Sequence, residues 1–356
     1  MKVLIRADAS ALIGSGHVMR CLALAAALKR LGAQITFACH ALPCTLHSLV
    51  TDQGHTVLPL YFAPPVASGL APGNLQPTLS QRDSTALATA LPSGATFDWI
   101  LVDHYGLDGQ WETAARAWAR HVAAIDDLAN RTHAVDLLLD QNLTASEQRY
   151  APWQAEPCRY LLGPHYALLR DEFQVAARAV SPQVENVLVN FGGMDNAGHT
   201  LKAAQALLGF AGLQVTLVAG IGNPDFDALQ RLVVERPGWQ LLAHSSAFGQ
   251  LMAVADLFIG AAGSSSWERA ALGLPTLCVA VADNQQANAE ALAAAGMHCY
   301  LGPSAAVSVK MLAAAVSELL PRFDLRQQYA ERSRQLVDGF GAQRVAQALQ
   351  LQGMGA

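Results

Sequence analysis

Apolar runs of four to seven residues recur along the chain, separated by stretches with helical spacing. Residues 3–6 are a short run rich in β-branched and aliphatic side chains, followed by a turn at 11–16 and a helix-periodic segment at 17–30. Further strands are expected at 35–38, 56–61, 99–102, 121–125 and 137–140. The pattern breaks around 152–183, with Ser181-Pro182 as a hinge, and then restarts. Strands at 187–191, 214–218, 239–242, 257–259, 276–279 and 299–301 alternate with helices at 199–208, 248–253, 265–272 and 284–295. Helices at 305–319 and 325–350 close the chain. Strands alternating with helices predict parallel βαβ units. Two such halves on a hinge predict an α/β protein of two Rossmann-like domains facing across a cleft, the default ligand site. The stretch 62–96, rich in Pro, Gly, Ser and Thr, reads as a long surface loop with a polar helix near 78–90.

Composition agrees with two sizeable cores. Of 356 residues, 52% are hydrophobic and 14% charged, which argues against disorder. The net charge of −5, with no Lys/Arg cluster, predicts neither nucleic-acid binding nor stable membrane association. No run of apolar residues is long enough to span a bilayer, and Asp8 interrupts the first run too early for a secretion signal. The six cysteines are irregularly spaced and read as buried, reduced thiols of a cytoplasmic protein.

Candidate chemistry concentrates at the ends of strands. In Gly260-Ala261-Ala262-Gly263-Ser264-Ser265-Ser266-Trp267-Glu268 a strand leads through small residues into a helix. Small residues allow close backbone approach, and the helix start offers N–H groups and a positive dipole end to a phosphate. The turn lacks the lysine of a P-loop and the spacing of a dinucleotide fingerprint. Glu268, one turn on, could accept both hydroxyls of a ribose. A plain helix cap explains the same local pattern equally well. Asp283-Asn284-Gln285 opens the next helix, where amides serve as caps or as partners for sugar hydroxyls.

In the first half, Gly14-Ser15-Gly16-His17 puts an imidazole at a helix start, where the dipole favours the neutral form that a general base requires. A packing or capping histidine is the commoner use of such a position. Arg20 lies one turn later and could face the same cleft or be solvated. Asp103-His104-Tyr105 and Gly192-Gly193-Met194-Asp195 are further strand-end turns. Asp126-Asp127 could bind a metal, but no third ligand is spaced nearby, so no metal is expected.

Taken in order, Gly14-Ser15-Gly16-His17 with Arg20-Cys21, Asp103-His104-Tyr105, Leu162-Gly163-Pro164 with Tyr166 and Arg170, Asn190-Phe191-Gly192-Gly193, and residues 260–288 resemble the UDP-sugar hydrolases of pseudaminic acid biosynthesis. The second half alone resembles a wider group with the glycosyltransferase-B (GT-B) fold, including the N-acetylglucosaminyltransferase that makes lipid II. The resemblance implies a domain at 1–180 with a catalytic His17, a UDP-binding domain at 181–330, and a helix at 331–356 packed back on the first domain. It implies hydrolysis of UDP-2,4-diacetamido-2,4,6-trideoxy-β-L-altropyranose at C1, with inversion, by a monomer needing no metal or cofactor. Gly263, Ser264 and Ser265 would hold the diphosphate and Glu268 the ribose. Tyr105, Asn284 and Gln285 would contact the sugar, with Gly16, Arg20, Gly193 and Asp195 completing the substrate-binding turns. The stretch 62–96 is long for this family. A GT-B glycosyltransferase with a UDP-sugar donor is the alternative.

Overall fold

The computed structural model describes residues 1–10, 13–62, 78–154, 156–174, 179–192, 195–245 and 247–354. The chain forms two compact units, Met1–Arg170 with Phe340–Ala356, and Asp171–Gly339.

The first unit runs β1 (Lys2–Ala7), α1 (Gly16–Arg30), β2 (Gln34–Cys39), α2 (Cys44–Asp52), β3 (Thr56–Pro59), α3 (Leu79–Ala90), β4 (Phe97–Asp103), α4 (Gly109–Ala115), β5 (Ala119–Ile125), β6 (Leu137–Asp140), α5 (Glu147–Tyr150) and β7 (Arg159–Leu162). Its seven strands are all parallel, in the order β3-β2-β1-β4-β5-β6-β7. Parallel sheets are covered on both faces, which is why β1 and β4 read as nearly unbroken apolar runs. One face is covered by α1, whose Val18, Cys21, Leu22, Leu24, Ala25 and Leu28 are buried against Ile5, Phe37 and Leu101. Each such leucine contributes about 1.5–3 kcal/mol relative to an exposed one. Trp111 and Leu87, from α4 and α3, cover the other face.

The second unit runs β8 (Asn186–Asn190), α6 (His199–Leu207), β9 (Gln214–Val218), α7 (Phe226–Val234), β10 (Trp239–Leu242), α8 (Phe248–Val254), β11 (Leu257–Ala261), α9 (Ser265–Leu272), β12 (Thr276–Ala280), α10 (Asp283–Ala294), β13 (Cys299–Pro303), α11 (Val309–Leu319) and α12 (Phe323–Leu336). Its six parallel strands are ordered β10-β9-β8-β11-β12-β13. Helix α13 (Gly341–Met354) then belongs to the first unit, where Ala342, Val345, Ala346 and Leu349 pack into the face covered by α1. Trp99 Nε1 donates to the Leu349 carbonyl at 3.1 Å there.

Several elements differ from expectation. The break in pattern at 152–183 contains a seventh strand, β7, whose short Arg-Tyr-Leu-Leu run carries little periodic signal. Four helices, α2, α4, α5 and α7, were not expected. The single helix expected at 325–350 is two, α12 and α13, because Gly339 takes φ +85° and a Cβ there would lie 2.9 Å from the Phe173 carbonyl oxygen. Cys44 is exposed, and Cys158 and Cys299 are half-buried, rather than buried. Of the 62–96 stretch, residues 63–77 lie outside the described residues, while Thr78 caps α3 through a capping box with Gln81. No helix among the described residues is long and apolar enough to cross a membrane.

Candidate active site

In each sheet the strand order reverses once, between β1 and β4 in the first unit and between β8 and β11 in the second. Ligands of open α/β sheets bind beyond the carboxyl ends of strands at such a switch point. The turns from β1 to α1 and from β11 to α9 therefore stand at the two positions that the topology favours.

In the first unit, Gly14 takes φ +79° and its N–H donates to the Ser10 carbonyl at 2.8 Å, folding the tight turn. Gly16 is the first residue of α1. His17, 7% exposed, faces the end of β4, where its Nδ1 lies 2.6 Å from Asp103 Oδ1. A carboxylate only accepts, so the Nδ1 proton points at Asp103 and Nε2 is left to take a proton. Arg20 Nη2 also lies 3.3 Å from His17 Nδ1, but this longer contact between two donors is secondary to the Asp103 bond.

Asp103 is fully buried. Burial alone would push its carboxyl up, but Arg20 and His17 hold it well below the usual carboxylate range. Arg20 donates to it through Nε at 2.7 Å and Nη2 at 2.6 Å. The same guanidinium donates through Nη1 to both oxygens of Asp127, at 3.0 and 2.8 Å. Tyr105 completes the array: its hydroxyl donates to Asp127 Oδ2 at 2.8 Å, and its ring meets the His17 ring edge-on at 4.6 Å. Burial first, then Asp127, raises the Tyr105 phenol well above its usual range, so it stays a donor. The constellation is an imidazole with one nitrogen fixed by an ionised aspartate, the arrangement of a general base and its orienter.

Beneath it, Asp126 ties down the next turn. Its carboxylate accepts from the N–H groups of Leu128 and Ala129, at 3.3 and 2.7 Å, and from Arg131. That holds Ala129 at φ +49°, a conformation a non-glycine residue keeps only when its surroundings enforce it. Fully buried His133 sits between Glu112, at 2.8 Å, and Asp126, at 3.7 Å.

In the second unit, Gly260 ends close to β8: a Cβ there would lie 2.2 Å from the Asn190 carbonyl oxygen. Ser264 is the N-cap of α9, is exposed, and makes no side-chain cap bond. Ser265 Oγ accepts from Arg269 Nη1 at 2.9 Å. Glu268 is half-buried on the first turn. Gln285 Oε1 accepts from the Val281 N–H at 3.0 Å, and a Cβ on Gly263 would come 3.5 Å from Gln285 Nε2, so these two flank one spot. Asn284 is exposed on the first turn of α10. Asp195 takes φ +33° and is committed to capping α6: it accepts from the His199 N–H at 3.1 Å and from the Thr200 N–H and hydroxyl at 2.6 and 2.7 Å. Gly193 lies outside the described residues.

Sequence reasoning thus named His17, Arg20 and Tyr105, which come together, but gave no role to Asp103 or Asp127, which join them. The signal was present, since Asp103 closes β4 and Asp127 follows two residues after β5, at the carboxyl ends of neighbouring parallel strands.

These features define a fold class: the chain has the two Rossmann-like halves of GT-B glycosyltransferases. The structure of Acinetobacter baumannii MurG superposes with a TM-score of 0.65 at 17% identity, covering 98% of this chain and 99% of that one. Residues 188–349 match the glycosyltransferase family 28 C-terminal domain. The chain is 25% identical over 297 residues, 83% of its length, to the UDP-2,4-diacetamido-2,4,6-trideoxy-β-L-altropyranose hydrolase of Campylobacter jejuni, covering 97% of that protein. It is 29% identical over 193 residues, 53% of its length, to the spore coat polysaccharide biosynthesis protein SpsG of Bacillus subtilis, and that match spans 57% of the relative.

Proposed function

We propose that the protein hydrolyses UDP-2,4-diacetamido-2,4,6-trideoxy-β-L-altropyranose, the UDP-sugar of pseudaminic acid biosynthesis. The observation that carries this reading is the His17–Asp103 pair, a base held in one tautomer at a strand-end switch point. Water attacks C1 as the bond from C1 to the diphosphate oxygen breaks, with inversion. The water proton passes to His17 Nε2, and Asp103 stabilises the imidazolium that forms. Such a base contributes roughly 10²–10⁴-fold in rate. Arg20 acts through Asp103 and Asp127, keeping Asp103 ionised and both carboxylates in place. In the second unit, Gly263, Ser264 and Ser265 receive the diphosphate at the α9 N-terminus, whose N–H groups stabilise the charge developing on the leaving UDP. Glu268 takes the ribose diol, and Asn284 and Gln285 the sugar or its acetamido groups.

Incubating the protein with this UDP-sugar and no acceptor tests the reading. Release of UDP and free sugar is the expected result. Release only when a sugar or lipid hydroxyl is supplied would replace it with the second reading, a GT-B glycosyltransferase. The family 28 match over the second half favours that alternative, in which His17 would deprotonate an acceptor hydroxyl instead of water.

A further inference from the structure

Among the described residues four arginines are almost completely buried: Arg6, Arg20, Arg269 and Arg326. Arg6 is paired with Asp8 and Asp83, and Arg20 with Asp103 and Asp127. Arg326 donates to the backbone carbonyls of Leu319, Leu320, Ser181 and Pro182. Arg269 is different. It is 2% exposed, and no carboxylate among the described residues pairs with it. Its plane stacks on the Phe258 ring at 4.5 Å. Nη1 donates to Ser265 Oγ at 2.9 Å, and Nη2 to Ser266 Oγ at 2.9 Å and to the Ala261 carbonyl at 3.1 Å. Desolvation pulls its pKa below the usual arginine value.

A buried cation that no carboxylate contacts, and whose charge Glu268 offsets only in part, is costly. This one is costlier for its position, one turn into α9, where it adds to the positive end of the helix dipole instead of opposing it. The N-cap, Ser264, offers no side-chain oxygen to the first N–H groups. Positive potential from two sources therefore converges on one turn, and an arriving anion is what would relieve it. The hydrogen bonds give the turn a direction as well. A serine oxygen that accepts from a guanidinium keeps its own proton to donate. Arg269 thus fixes the oxygens of Ser265 and Ser266 from below and leaves their protons to be given to a ligand.

Resting on the nucleotide reading of this turn, we infer that Arg269 is the positioning residue of the diphosphate subsite. Without touching the ligand, it sets the serine hydroxyls as donors and supplies the charge that makes the turn select a diphosphate over an uncharged nucleoside. Such a charge, desolvated in advance, acts more strongly on the anion than an exposed one.

The test compares UDP with uridine on the full-length protein, UDP by titration calorimetry and uridine by ligand-observed NMR. Wild-type protein is expected to bind UDP far more tightly than uridine. Arg269→Gln keeps amide donors near the serines and removes the charge. It is expected to cut the UDP-to-uridine affinity ratio tenfold or more while uridine binding stays unchanged, a split that a loss of structure would not produce. An unchanged ratio in folded Arg269→Gln overturns the inference and leaves the nucleotide reading standing. No UDP binding by the wild type overturns the nucleotide reading itself and the inference with it. If circular dichroism finds Arg269→Gln unfolded, Ser265→Ala decides: a severalfold drop in the ratio supports the inference, and an unchanged ratio overturns it.

Discussion

The turn at 14–17 and the turn at 263–265 each follow a central strand at the point where the strand order reverses, one in each unit. Around the first, basic side chains and carboxylates alternate: His17, Asp103, Arg20, Asp127, all within hydrogen-bond distance of a neighbour. Around the second, the described residues are a buried guanidinium, Arg269, hydroxyls and the half-buried carboxylate of Glu268. A fully paired array has little net field but holds each group at a fixed angle and protonation state, which suits moving a proton. A cation at a helix start whose charge is only partly offset keeps a net positive field, which suits receiving an anion. On the proposed reading, the same backbone device, a small-residue turn between a central strand and a helix, serves two different tasks according to the side chains around it.

Replacing the base should separate the two turns most sharply. His17→Ala is expected to lower turnover by on the order of 10²–10⁴-fold and leave UDP affinity unchanged, read by UDP release and calorimetry. Asp103→Asn should lose roughly 10²-fold or more in turnover, because an amide can donate to Nδ1 and so favour the wrong tautomer. Unchanged turnover in His17→Ala would remove the proton-transfer role from the first turn.

The second largest effect concerns the ion network under the first turn. Burial would lower the pKa of His133, but the close contact with Asp126, at 3.7 Å, and the hydrogen bond and charge of Glu112 outweigh it and raise it from 6.5 to about 9. A folded pKa above the unfolded one gives stability that is fully present below pH 6.5 and lost as pH rises through 9. At 1.36 kcal/mol per pKa unit that is about 3 kcal/mol. Denaturant unfolding at pH 6.5 and 9.5 should show the loss in the wild type, and His133→Gln should flatten it. Arg269 lies in the other unit, away from His133, so Arg269→Gln should leave this pH dependence as it is.

The mirror experiment lies in the second turn. Glu268→Ala is expected to weaken UDP binding by about 1.5–3 kcal/mol, the usual worth of hydrogen bonds to a charged group, with the pH dependence of turnover unaltered. Calorimetry showing unchanged UDP affinity would withdraw the ribose assignment.

How much of this was legible in sequence follows from how far apart the partners are. Strands such as β6 and β12 were plain because parallel strands buried on both faces leave continuous apolar runs. The loss of a single helix at 325–350 was legible in principle, since Gly339 sits inside the periodic run and takes a positive φ. Strand β7 and short α5 were not, having four residues each. His17 was singled out by its local turn, but Asp103 is separated from it by 86 residues and Asp127 from Arg20 by 107, so no local pattern pairs them. Arg269 is the opposite case. It stands four residues after Ser265, and helical spacing alone puts them on one face. What the sequence hides is its burial, which turns an ordinary surface arginine into a charge that is only partly compensated.

The finest distinction concerns Tyr105, expected to touch the sugar. Its hydroxyl donates to Asp127, which is already held by Arg20, and its ring packs edge-on against His17. If its part is to fix the imidazole, losing the hydroxyl removes one hydrogen bond to a charged group and leaves the ring contact in place. Tyr105→Phe should then cost about 1.5–3 kcal/mol at most, expressed as lower kcat with KM nearly unchanged. If the hydroxyl swings away from Asp127 to bind the sugar, the same variant raises KM and spares kcat. A kcat effect joins Tyr105 to the paired array of the first turn. A KM effect makes it a substrate contact, and the contrast between a proton-handling turn and a ligand-holding turn would then be less complete than the buried charges suggest.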